Sequence, residues 1–139
     1  MPQESPNTAR SRNMAAIRSQ NTLPEKRLRQ TLWHAGLRGY RLQARLPGRP
    51  DIVFSRKHVA IFVDGCFWHR CPTCYREPKT HVSYWTAKIQ RNVDRDQRVT
   101  IQLTENGWAV IRIWEHHLRT AEGLEECLRL IQTCLISRQ

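Results

Sequence analysis

Residues 64–74 read Asp64-Gly65-Cys66-Phe67-Trp68-His69-Arg70-Cys71-Pro72-Thr73-Cys74. A carboxylate, an imidazole, two adjacent aromatic rings and a Cys-x-x-Cys pair crowd into this one run. Just upstream, Pro50-Asp51 opens the apolar stretch Ile52-Val53-Phe54. Residues 51–55 and 59–63 are both short, apolar and β-branched, with Ser-Arg-Lys-His between them, and read as a hairpin. The start of one hairpin strand lies beside the end of the other, so Asp51 and Asp64 come to the same edge. Acids gathered there can hold Mg²⁺, which takes hard oxygen ligands. Such a metal lowers the pKa of a water and neutralises charge on a phosphate. Glu25 could add a third carboxylate. His69, five residues past the edge, could activate water or protonate a leaving oxygen near neutral pH.

Each of these residues also has a plainer reading. Asp51 after proline can cap a turn, Asp64-Gly65 is a turn dipeptide, and Glu25 completes the capping box Thr22-Leu23-Pro24-Glu25. Phe67-Trp68 sits in a polar loop, where planar side chains suit base stacking or prying a step apart, although one of them could simply anchor the loop. Trp85, Lys88 and Asn92 follow at helical spacings of three and four and can share one face beside that wedge. Cys71 and Cys74 have the spacing of half a zinc site. The remaining ligands must be distant. Of His116 and His117, one fits, because extended neighbours point to opposite faces; Asp96 could be the fourth. Cys127 and Cys134, two helical turns apart, read as core residues.

These groups need a scaffold. At 139 residues the chain is long enough for one compact core. The capping box starts a helix with apolar Leu28, Leu32 and Ala35, ended by Gly36. A shorter helix is expected over about Thr8–Gln20, a strand near Tyr40–Leu42, and a long helix from Ser83 to about Glu105. A further strand covers Trp108–Trp114 and a last helix about Ala121–Leu135. The order is that of an α/β protein with a mixed central sheet flanked by helices. No apolar run reaches membrane-spanning length and the first 21 residues are polar and basic, which reads as cytoplasmic. Five cysteines in a reducing compartment favour metal over disulfides. A net charge of +11, spread from Arg10 to Arg138, calls for a polyanionic partner, nucleic acid before a membrane surface.

Several separated runs agree in order and spacing with one family. They are Thr8-Ala-Arg-Ser-Arg-Asn-Met14, Leu46-Pro-Gly-Arg-Pro-Asp51, Gly65-Cys-Phe-Trp-His69, Asn92-x-x-Arg95-Asp96 and Gly107-Trp-x-Val-x-x-x-Trp114-Glu115. Together they resemble the very-short-patch repair endonucleases, over about residues 8–118. The resemblance implies a restriction-endonuclease-like core (residues 22–139) with a structural zinc site, preceded by a DNA-contacting arm (residues 1–21). It implies a monomer that makes a Mg²⁺-dependent nick 5′ to the thymine of a T:G mismatch in double-stranded DNA, alongside mismatch-repair proteins. By motif position Asp51 and the main-chain carbonyl of Val63 would hold Mg²⁺, Glu25 would act through water on the metal, and His69 would serve the hydrolytic water or the leaving group. Phe67, Trp68 and Trp85 resemble the major-groove wedge, Met14 and Ile17 the minor-groove insertion, and Lys88 and Asn92 the mismatch readers. Zn²⁺ would be held by Cys71, Cys74, Asp96 and His116. The better-known pattern has histidine in place of Asp64, so an acid there either binds metal directly or shifts the burden to His69. That pattern also has histidine at Cys71 and cysteine at His116, exchanges that zinc accepts. Two other readings fit the residues: a restriction-like nuclease without mismatch preference, and a zinc-stabilised nucleic-acid-binding module without catalysis.

Overall fold

The computed structural model describes residues 22–138. The expected helix at Thr8–Gln20, with Met14 and Ile17, lies outside them. Helix α1, Leu23–His34, begins as its capping box requires, with Thr22 Oγ1 accepting from the Glu25 N–H at 3.5 Å. Leu28 and Leu32 are fully buried on one side. At the other end Gly36 adopts φ +83°, and the N–H groups of Gly36 and Leu37 return to the carbonyls of Trp33 and Leu32. That closure satisfies the last carbonyls and needs a residue without a Cβ at the left-handed position.

Four strands follow the order β1-β2-β3-β4. They are β1 Arg41–Leu42, β2 Ile52–Phe54, β3 Val59–Asp64 and β4 Ala109–Trp114. β1/β2 and the β2/β3 hairpin are antiparallel, with Ile52 opposite Ile61. β4 is parallel to β3, with Asp64 opposite Trp114. A parallel pair needs a long crossover, and α2, Val82–Glu105, supplies it. A 3₁₀ turn, Glu115–Arg119, and helix α3, Ala121–Ser137, complete the chain. The mixed sheet and flanking helices match the sequence reading, with strand and helix ends displaced by one or two residues.

Alternation along the strands assigns the two sheet faces. Ile52, Phe54, Val59, Ile61, Ile111 and Ile113 pack with Leu28 and Leu32 of α1 and with Cys127 and Ile131 of α3. Ala60 and Phe62 face the other way, onto Leu103 and Val99 of α2. The placement of Cys127 and Cys134 in or against the first cluster agrees with their reading as core residues.

Where the 3₁₀ turn meets α3, a Cβ on Gly123 would overlap the His117 carbonyl oxygen. Backbone cannot swing aside as a side chain can. Gly123→Ala is therefore expected to destabilise the protein by about 3 kcal/mol, read as a lowered Tm.

Candidate active site and metal centre

The hairpin brings the acids together as its topology requires. A cleft of about 470 Å³ opens at the end of β3, lined by Glu25, Asp51, Asp64, His69, Asp96 and Arg112 among others. Asp51 Oδ2 accepts the Val63 N–H at 2.7 Å, and Oδ1 accepts from Gln43 Nε2 at 3.5 Å. Burial pushes the Asp51 carboxyl up to about 6; nearby Glu25 and Asp64 push the same way, while the two hydrogen bonds oppose them. In an extended strand the N–H and C=O of one residue lie on the same edge. The Val63 carbonyl therefore shares the edge on which its N–H meets Asp51. Glu25, from the first turn of α1, is buried against this cleft.

His69 reaches the cleft from a loop folded into successive turns. The His69 N–H meets the Gly65 carbonyl at 3.1 Å, and the Cys71 N–H meets the Cys66 carbonyl at 2.9 Å. His69 Nδ1 is hydrogen-bonded to Asp96 Oδ2 and lies 3.8 Å from Asp64 Oδ1. An ionised carboxylate only accepts, so Nδ1 is the donor of this bond. Asp64 in turn receives Arg112 Nη1 at 3.0 and 3.2 Å. Burial raises the Asp64 carboxyl above its ordinary range, opposed by His69 and Arg112.

This placement corrects the expectation that Asp96 binds zinc. Its carboxylate lies with Asp64 and His69, and a different group converges nearby: Cys66, Cys71, Cys74 and His116, with ligand atoms within 4.8 Å of one another. His116 Nδ1 is 3.3 Å from Cys66 Sγ and 3.6 Å from Cys71 Sγ. Cys66 takes the position assigned to Asp96 because the Cys66–Cys71 turn folds the two sulfurs together. Its place five residues before Cys71 was the available signal. His116 arrives on the 3₁₀ turn rather than on extended backbone, and His117, which is exposed, is outside the group. Three sulfurs and one imidazole fit zinc, whose tetrahedral sites take this donor set. Burial pushes the Cys66 thiol up to about 12, aided by the neighbouring Cys71. Burial, and next the cationic forms of His117 and Arg119, hold His116 below the usual imidazole range, in the neutral form that ligates.

The aromatic residues expected at DNA form one cluster beside the cleft. Phe67 meets Trp68 and Trp85 edge-on at 5.3 and 6.1 Å, and Trp68 meets Trp85 at 5.8 Å. Lys88 Nζ sits 5.3 Å from the Trp68 ring and 5.6 Å from that of Trp85. Asn92 donates to the Trp68 carbonyl at 3.2 Å and accepts from Arg95 at 2.9 Å. The three residues on one face of α2 thus meet around Trp68. Trp68, Trp85 and Asn92 are nevertheless buried, and only Phe67 and Lys88 are partly open to solvent. Arg112, at the centre of the acidic group, was not singled out from the sequence, where it is the one charged residue of the strand Ala109–Trp114.

The family model for DNA mismatch endonuclease Vsr matches residues 5–76, which contain Glu25, Asp51, His69 and three of the four converging metal ligands. The chain is 48% identical over 115 residues to the type II nicking enzyme V.NaeI of Lentzea aerocolonigenes, covering 79% of this chain and 69% of the relative. It is 45% identical over 120 residues to DNA mismatch endonuclease Vsr of Escherichia coli K12, covering 84% and 76%. It is 42% identical over 120 residues to the nicking enzyme V.XorIIP of Xanthomonas oryzae, covering 85% and 88%. The chain therefore belongs to the Vsr family of DNA mismatch endonucleases and is a DNA-cleaving hydrolase.

Proposed function

We propose that the protein nicks one strand of double-stranded DNA 5′ to the thymine of a T:G mismatch, in a reaction that requires Mg²⁺, on a restriction-endonuclease-like core held by Zn²⁺. The observation that carries this reading is the meeting, in one cleft beside an aromatic cluster, of Asp51, Glu25 and the Asp96–His69 pair. Asp51 and the Val63 carbonyl form an all-oxygen donor pair suited to Mg²⁺, with Glu25 close by. When bound there, Mg²⁺ supplies neutralisation of phosphate charge and acidifies water. Asp96 orients His69 through Nδ1, and Nε2 accepts a proton from the attacking water. Cys66, Cys71, Cys74 and His116 would hold Zn²⁺ and so pin the His69 loop to the 3₁₀ turn.

In this reading Phe67 enters the base stack, backed by Trp68 and Trp85, while Lys88 and Asn92 lie where the mismatch is read. Unstacking costs a few kcal/mol per step, and a wobble pair resists less than a Watson–Crick pair. The basic surface supplies sequence-independent phosphate attraction that weakens with salt. Met14 and Ile17 add contacts from residues 1–21.

The test is nicking of end-labelled duplexes carrying T:G or T:A at one position, with and without Mg²⁺. A Mg²⁺-dependent nick 5′ to the mismatched thymine, absent with T:A, is the expected result. Equal cutting of both duplexes would mean a nuclease without mismatch preference. Tight, salt-sensitive binding with no product on any flanking sequence would mean a binding module.

A further inference from the structure

Arg112 stands in an otherwise apolar strand, Ala109-Val-Ile-Arg-Ile-Trp114, on the face that α2 covers. Every nitrogen of its guanidinium is engaged. Nε donates to Thr100 Oγ1 at 2.9 Å, and Nη2 donates to the Asp96 carbonyl at 3.2 Å. Nη1 donates to both carboxylate oxygens of Asp64 and lies 3.8 Å from Asp96 Oδ1. The plane rests on the Phe62 ring, 4.2 Å from its centroid. A planar fork with donors in fixed directions can meet α2, β3 and a carboxylate at once; an ammonium on a flexible stem cannot.

The acids it bridges flank His69. Asp64, His69 and Asp96 bring ligand atoms within 4.8 Å of one another, a grouping that would otherwise suit a cation. Here a permanent cation of the chain itself takes Asp64. Two carboxylates crowded around one imidazole in a partly buried site need compensating charge, and Arg112 supplies it at hydrogen-bond distance.

We propose that Arg112 is a positioning residue of the nuclease centre: it holds Asp64 in place of a metal ion, confines the divalent cation to the Asp51–Val63 side of the cleft, and fixes the backbone and side chain of Asp96 behind His69. This deepens the reading above and rests on its assignment of Asp51 and His69. It also decides between the two roles open to an acid at position 64, direct ligand or support for His69, in favour of the second.

The experiment is single-turnover nicking of the T:G duplex by full-length Arg112→Met, Asp64→Asn and the double variant, titrating DNA and Mg²⁺ separately, with Tm measured alongside. Removing a residue that orients a catalytic group costs about 10–100-fold. Arg112→Met should lose rate by that factor at saturating DNA while its KM for DNA moves less than about threefold, because the guanidinium is committed to protein acceptors. Asp64→Asn should be slowed severalfold yet keep the wild-type Mg²⁺ concentration for half-maximal rate. The double variant should be faster than Arg112→Met, since the charge left unpaired has gone. Should Arg112→Met not fold, the Mg²⁺ requirement of Asp64→Asn still decides. A more than about tenfold shift in the Mg²⁺ requirement of Asp64→Asn, or a double variant no faster than Arg112→Met, would overturn the proposal. Asp51→Ala and His69→Ala retaining activity would instead overturn the underlying reading of the site.

Discussion

Asp51→Asn is expected to abolish nicking and, above pH 6, to make the Mg²⁺-free protein more stable. Losing the metal's carboxylate removes several kcal/mol of transition-state stabilisation, and about 4 kcal/mol already means three orders of magnitude in rate. Binding of a T:G duplex should change little, because phosphate attraction is spread over the basic surface. The stability effect follows from burial. The Asp51 carboxyl rises from 3.8 in the unfolded chain to about 6 in the fold, so the fold prefers it protonated. Its favourable contribution is complete below pH 3.8 and is lost as pH rises through 6. Above that the ionised group costs about 3 kcal/mol, at 1.36 kcal/mol per unit. Asparagine carries no charge and can still accept from the Val63 N–H. The variant's Tm should therefore be several degrees above the wild type's at pH 8, with the gap narrowing as pH falls below 6. Mg²⁺ should raise the wild-type Tm and leave the variant's unchanged. A variant less stable than wild type at pH 8 would show that Asp51 supports the fold more than it strains it.

Removing a Zn²⁺ held, as proposed, by Cys66, Cys71, Cys74 and His116 should have an even larger effect on the fold. Structural zinc sites contribute about 10–16 kcal/mol to folding, comparable with the whole stability of a domain this size. A strong chelator, or Cys66→Ala, should collapse the thermal transition and release the His69 loop, which hangs between Cys66 and Cys71. Asp96→Ala should keep full zinc content and a cooperative transition while nicking falls, because its carboxylate serves His69. Zinc content by atomic absorption separates the two cases. Loss of zinc in Asp96→Ala with retention in Cys66→Ala would restore the ligand set first expected.

Much of this site was legible along the chain because its determinants are local. A capping box needs only residues 22–25, and a hairpin needs only two apolar runs and the turn between them. Those two features carry Glu25, Asp51 and Asp64 to one cleft. His69 was legible through its nearness to that edge. The aromatic cluster was legible as a set, since Trp85, Lys88 and Asn92 share a helix face whatever that helix packs on.

What remained hidden depends on which surfaces meet. Asp96 and Cys66 exchanged places between the group around His69 and the Cys/His cluster because sequence cannot show the turn that folds Cys66 onto Cys71, or the angle at which α2 crosses the sheet. His116 and His117 were distinguished by a 3₁₀ turn where extended backbone was expected. Arg112 carried no signal along the chain; with helices on both sheet faces, it lies between β3 and α2 and must find acceptors there. Which of Phe67 and Trp68 anchors the loop was likewise left open along the chain; packing buries Trp68, and Asn92 with it. The sequence by itself determined the chemical inventory, the elements and the edge where the acids gather, since spacing and propensity act over a few residues. Only the tertiary structure decided which acid meets His69, which four groups converge as a candidate metal centre, and which cation answers Asp64, because the pairings of His69 with Asp96, Cys66 with His116 and Asp64 with Arg112 join residues 27 to 50 positions apart whose meeting is set by packing.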